Sequence, residues 1–279
     1  MISRRVREAG PYATGIILTT VAMALAACGP QPNGLGGTST SSGQPGSASP
    51  RTPPPGAAFG TTPLSDSAGP AGIPGPPATA LQAHRYVALG DSYTIGTSVR
   101  SGDRWPDQLV RQADGRLQLV ANLGVNGYTS GDVVDLELPQ LDGLAPEFVS
   151  LLIGVNDVVQ GVSEARYRAN VTLILERLLV RLPADRVVVI ATPDYTVTPQ
   201  GAAFGDPGQQ SAGIRRNNEI LRELAMARGI AFVDIYDISL RAAVDGALVA
   251  SDGLHPSRTQ YALWVDRIGP VVRGLLAQP

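Results

Sequence analysis

The chain has 279 residues, a net charge of −2 and a charged fraction of 16%, which suits one domain of ordinary size with tails and gives no electrostatic footprint for a nucleic-acid partner. All 22 basic residues are arginine, so a Walker-type phosphate loop, a Schiff-base lysine and a Ser–Lys dyad are excluded. Two histidines, His84 and His255, and one cysteine, Cys28, are too few for a zinc site of His and Cys ligands and leave no intramolecular disulfide.

Residues 1–28 have the pattern of an export signal. Arg4, Arg5 and Arg7 form a basic start, and an apolar run follows from Ile16 to Ala27, interrupted by Thr19 and Thr20. A permanent membrane span needs roughly 20 apolar residues; this run has the length of a cleavable signal's hydrophobic region. It ends in Leu25-Ala26-Ala27-Cys28, which resembles a bacterial lipobox. The resemblance implies lipidation of the Cys28 thiol, cleavage just before it, and attachment to the outer face of a bacterial cell membrane.

Residues 29–83 are expected to be a linker. Positions 29–80 hold 11 Gly and 12 Pro, and only Arg51 and Asp66 are charged. Such a stretch buries too little apolar surface to offset its ordering entropy, and a flexible chain of that length has a root-mean-square span of roughly 40 Å.

From residue 84 to 279 the pattern changes to that of a folded domain. Segments 85–90, 117–124, 148–154, 186–193 and 230–237 read as strands, several of them continuously apolar and β-branched, as strands covered on both faces are. Helical spacing appears near 130–141, 163–181, 211–228 and 257–277; Tyr167, Val171, Ile174, Leu175, Leu178 and Leu182 form one stripe, and Gly229 sits where a helix C-cap is expected. This alternation predicts an α/β fold: a three-layer α/β/α sandwich around a mostly parallel five-stranded sheet.

Ligands of open parallel sheets sit beyond the carboxyl ends of the strands. The residues there are Gly90-Asp91-Ser92-Tyr93, Asn122-Leu123-Gly124-Val125-Asn126-Gly127, Gly154-Val155-Asn156-Asp157 and, after the fifth strand and a short helix, Asp252-Gly253-Leu254-His255-Pro256. In this order, these four blocks resemble the SGNH (GDSL) hydrolase family, and the resemblance covers residues 85–265. It implies a flavodoxin-like fold and ester hydrolysis without a metal or organic cofactor. It also implies Ser92 as nucleophile, Asp252 and His255 as its partners, and an oxyanion hole from the Ser92 and Gly127 N–H groups and the Asn156 amide. Gly124 shares the second block; Gly127 is preferred for its place before Tyr128-Thr129.

Those residue types suit that chemistry. A serine hydroxyl becomes a competent nucleophile when a base takes its proton. Imidazole titrates near neutral pH, and an acceptor on its second nitrogen fixes the tautomer. Each block also has a structural explanation: Asp-Ser as a helix cap, Asn-Asp as an Asx turn, Asp-Gly as a turn. Their joint occurrence in family order favours the catalytic reading. His84 is expected to be structural, Asp91 to anchor its turn, and Trp105 and Trp264 to pack in the core or at the rim. The sequence has no Gly-x-Ser-x-Gly elbow and no Gly-x-Gly-x-x-Gly loop after a strand. Apolar Ile95, Val155, Val158, Val159 and Leu254 flank the blocks and favour a lysophospholipase-like or short-acyl ester. A carbohydrate O-deacetylase and a non-catalytic, surface-anchored binding module are the alternatives.

Overall fold

The computed structural model describes residues 82–277; the expected export signal, Cys28 and nearly all of the expected linker lie outside the described residues. Strands β1 (His84–Gly90), β2 (Leu117–Asn122), β3 (Phe148–Leu152), β4 (Val187–Ile190) and β5 (Ala231–Val233) form a sheet in the order β2-β1-β3-β4-β5. Every pairing is parallel. The chain starts in β1, moves outward to β2, then crosses back to β3, so the strand order reverses between β1 and β3. Their carboxyl ends diverge into connections on opposite sides, the place where open α/β sheets bind ligands.

The helices are α1 (Ser92–Ile95), α2 (Trp105–Gln112), α3 (Ser130–Asp132), α4 (Leu141–Leu144), α5 (Val155–Val159), α6 (Glu164–Arg181), α7 (Pro207–Met226), α8 (Tyr236–Leu240) and α9 (Arg258–Leu276). Successive strand side chains point to opposite faces, and the core divides accordingly. Tyr86, Ala88, Phe148, Leu152, Val188 and Ile190 pack on one face with Trp105 and Leu109 of α2 and Trp264, Val265 and Ile268 of α9. Val87, Leu89, Val149, Leu151, Val187 and Val189 pack on the other with Val171, Ile174 and Leu178 of α6 and Ile220 and Leu221 of α7. Ser150 is the polar exception in β3. It is fully buried, and its hydroxyl shares a 2.7 Å hydrogen bond with the Tyr86 phenol, which satisfies both polar groups inside the core.

The expected three-layer α/β architecture is present, with a wholly parallel sheet. Several boundaries differ from the sequence reading. The second strand stops at Asn122 because its side chain turns the chain: Oδ1 accepts from the Gly124 N–H at 3.1 Å and Nδ2 donates to the Thr94 carbonyl at 2.7 Å. The fifth strand has only three residues; the Asp234 carboxylate accepts from the Tyr236 N–H at 3.0 Å and opens α8 instead. The segment expected as one helix over 130–141 is α3, a wide π-helical turn at Val133–Glu137, a tight turn at Leu138–Gln140, and α4. Pro139 has no N–H to continue an even ladder, and Glu137 is turned into the interior. Helix α2, which the apolar pattern did not single out, begins with a proline in its first turn, where the missing donor costs nothing.

Candidate active site

Strand β1 ends at Gly90, whose φ of +151° is open to glycine and whose added Cβ would lie 2.3 Å from the Leu152 carbonyl oxygen. The close approach of β1 and β3 therefore requires glycine there. The chain then turns sharply into α1. Asp91 caps this helix, its Oδ1 accepting from the Tyr93 N–H at 2.9 Å, as expected for a turn anchor. Ser92 is the first helical residue and is buried but for 7% of its surface. Its N–H is among the first-turn donors that a helix leaves unpaired. Neither that N–H nor the Ser92 hydroxyl finds a partner among the described residues.

Two glycines follow β2, and their surroundings differ. A Cβ on Gly124 would sit 2.7 Å from the Asp91 carbonyl oxygen and from the Ile95 nitrogen, so Gly124 lets the loop lie against the start of α1. Gly127 has φ +82° and open space where a side chain would project. Its carbonyl accepts from the Gln160 side chain at 2.8 Å, while its N–H has no acceptor among the described residues. Asn156, in α5 after β3, donates through Nδ2 to the Tyr128 carbonyl at 2.9 Å and lies 3.5 Å from Asp91 Oδ2. One amide thus touches the residue before Ser92 and the residue after Gly127.

Asp252 and His255 meet as the spacing predicted. His255 Nδ1 is 2.6 Å from Asp252 Oδ2, and Asp252 Oδ1 accepts from the N–H groups of Leu254 and His255 at 2.9 and 3.0 Å. Gly253, at φ +73°, makes so tight a turn possible. Burial would raise the Asp252 carboxyl, but hydrogen bonds from Ser98, the Leu254 and His255 N–H groups and the imidazole outweigh it and bring it to about 2. An ionised carboxylate against Nδ1 keeps the proton on that nitrogen and leaves Nε2 free as a base. The His255 and Tyr93 rings lie side by side, centroids 5.1 Å apart, so the imidazole stands beside the residue that follows Ser92. Ser92 and His255 make no direct hydrogen bond in this structure.

Three carboxyls adjoining these residues are buried. Burial pushes Asp91 up to about 8, with the Tyr93 N–H opposing and the Asp157 charge adding to the rise. Burial also pushes Glu137 up to about 9; its Oε2 accepts from the Gly90 N–H at 3.0 Å and its Oε1 is unpartnered. Asp157 is likewise raised by burial, despite accepting from the Ser130 N–H and hydroxyl. Glu137 and Ser98 carry no local sequence signal and were not among the predicted site residues. Trp105 and Trp264 are wholly buried core residues. Among the described residues no group of three or more His, Cys, Asp or Glu side chains could hold a metal ion, and no helix is long and apolar enough to cross a membrane.

Residues 88–263 match the model of the GDSL-like Lipase/Acylhydrolase family. The fold is similar to that of an α/β-hydrolase enzyme from the metagenome of Lake Arreo, Spain, with TM-score 0.56 and 20% identity over 71% of this chain and 98% of that one. A lipase/acylhydrolase from Enterococcus faecalis gives TM-score 0.56 and 20% identity over 68% and 96%. An acetylxylan esterase from Geobacillus stearothermophilus gives 0.54 and 16% over 71% and 97%. No curated protein matches this sequence.

Proposed function

Because the chain belongs to the GDSL-like lipase/acylhydrolase family of ester hydrolases, we propose that Ser92 attacks the carbonyl carbon of a carboxylic ester and carries the acyl group. His255 Nε2 takes the Ser92 proton as the Oγ–C bond forms, then gives it to the departing alcohol as the ester bond breaks. Water repeats the sequence in reverse, releasing the acid and restoring the serine. The Ser92 and Gly127 N–H groups and the Asn156 amide are the proposed donors to the oxyanion, and a single donor of this kind is worth roughly 3–4 kcal/mol of barrier. The observation that carries the reading is the 2.6 Å Asp252–His255 contact, which leaves one imidazole nitrogen basic beside the nucleophile helix. The Ser92–His255 bond is proposed to tighten when substrate binds, as such bonds commonly do.

The proposed substrate is an ester with a short or medium apolar acyl chain. Ile95, Val158, Val159 and Leu254 are half-buried near the four blocks and Val125 is exposed; such surface favours hydrocarbon over a hydrated sugar. Lipidation at Cys28 is proposed to hold the enzyme at a membrane surface, where lysophospholipid-like esters are found. The test is hydrolysis of p-nitrophenyl esters of graded chain length by the purified protein and its Ser92→Ala variant. Loss of turnover and of fluorophosphonate labelling in the variant is expected. Equal rates in the two proteins would refute the reading, and a folded protein that neither labels nor turns over would be a binding module.

A further inference from the structure

We propose that Ser98 is a positioning residue for the Asp252–His255 pair, tying its carboxylate to the segment that carries the nucleophile. The inference rests on the active-site reading above and goes beyond it. A carboxylate has about four lone-pair sites, and those of Asp252 are all engaged. The Leu254 and His255 N–H groups occupy Oδ1, and His255 Nδ1 occupies one site of Oδ2. Those three donors belong to the loop of Asp252 itself. The fourth is the Ser98 hydroxyl, 2.6 Å from Oδ2 and 154 residues away in sequence. Of the four, it alone fixes the pair relative to another part of the fold.

The backbone of Ser98 is arranged for this contact. Its φ is +65°, a conformation that few residues other than glycine adopt and that points from an observed outlier to a function. Gly96, two residues earlier, has φ +75° and caps α1. Between them, Thr97 donates to the Asn126 side chain at 2.6 Å. The segment directly after α1 thus reaches two other parts of the site: Thr97 holds the loop of Gly127, and Ser98 holds Asp252. Ser98 is exposed, so the contact acts on the orientation of the pair and on the charge that Oδ2 presents to the imidazole rather than on stability.

The charge effect has a definite sign. Oδ2 divides its negative charge between the Ser98 hydroxyl and the imidazole. Without the hydroxyl, the whole of it faces Nδ1 and favours the imidazolium, so His255 should titrate at higher pH. The other titratable group against the imidazole is Tyr93, whose phenol is held neutral by burial.

The experiment uses the full-length protein with Ser98→Gly, which keeps the left-handed backbone free of strain and removes the hydroxyl, and Ser98→Asn, which tolerates that backbone and restores an N–H donor. The imidazole resonances are followed by NMR against pH; His84 is the one other histidine in the chain. The expected result for Ser98→Gly is a His255 titration displaced upward, with kcat reduced about three- to tenfold at unchanged KM, and partial reversal of both in Ser98→Asn. A His255 titration in Ser98→Gly that superimposes on the parent's overturns the proposal even where the rate falls. Ser92→Ala and His255→Ala are assayed beside them: if these hydrolyse esters at the parent rate, the active-site reading fails, whereas the NMR titration still judges the Ser98 contact by itself.

Discussion

The Glu137 side chain accepts from the backbone N–H of Gly90 at 3.0 Å, deep in the interior and directly below the turn that presents Ser92. An ionised carboxylate without a cation there would be expensive, and burial accordingly lifts Glu137 to about 9 and neighbouring Asp91 to about 8. Burial thus favours the protonated form of both groups in the folded protein at pH 7.

That neutrality makes stability fall as pH rises. Below the ordinary carboxylate range, both folded and unfolded chains hold these protons. Above it, the unfolded chain releases them while the folded chain keeps them, so each group removes at most about 1.4 kcal/mol per pH unit until it ionises in the fold. For Glu137 the window closes near pH 9 and for Asp91 near pH 8. Replacing Glu137 with Gln keeps an acceptor for the Gly90 N–H and removes the titration. Urea denaturation at pH 5, 7 and 8.5 should show a shallower decline for Glu137→Gln than for the parent. Parallel declines would count against a buried neutral acid at this position.

Asp252 has the opposite sign. Its carboxyl is held at about 2, below its unfolded value, so its contribution is present at neutral pH and is lost only as pH falls toward 2. Protonation of Asp252 is therefore not expected to shape the acid limb of kcat/KM above pH 4. Asp252→Asn should lower kcat on the order of 10²- to 10⁴-fold by leaving the imidazole without a fixed tautomer. Stopped-flow and steady-state assays between pH 4 and 9 check both statements.

Gly124 and Gly127 should respond differently to alanine. At Gly124 the new methyl meets backbone atoms of Asp91 and Ile95, and such overpacking costs about 1–3 kcal/mol while displacing α1. At Gly127 there is space, and the cost is the backbone alone, about 1–2 kcal/mol for a non-glycine residue at positive φ. Both variants should melt lower, and Gly124→Ala should also show weaker labelling by a fluorophosphonate at fixed time. Equal labelling of Gly124→Ala and the parent would mean that the loop does not support the turn that carries Ser92.

The proposed anchor is separable from the chemistry. Cys28→Ser removes the only thiol in the chain and with it the proposed lipid attachment site. Expressed in a bacterial host, the parent should partition into the detergent phase of a Triton X-114 extraction and the variant into the aqueous phase, with unchanged specific activity. Detergent-phase recovery of Cys28→Ser would disprove lipidation at this residue.

How much of this was legible beforehand depended on how local the signal was. Ser92, Asn156, Asp252 and His255 lie in short blocks whose order resembles a known family, so the sequence could single them out as candidates, and Asp252 and His255 need only three residues of chain to find each other. The long helices α6, α7 and α9 were visible because each buries one stripe. Glu137 and Ser98 were not, because their roles come from partners 47 and 154 residues distant. The mixed helical segment after Ser130 defeated the periodic reading for the same reason: Pro139 and the inward turn of Glu137 override an apolar pattern that by itself fits one even helix.

The hydrogen bonds within the turn from Asp252 to His255 join side chain, imidazole and two backbone amides into one hook. Carboxylate and imidazole consequently move together: a shift of the whole turn leaves their mutual distance intact. A molecule entering between the rim loops therefore meets the pair as one body, tied through Ser98 to the segment that follows α1.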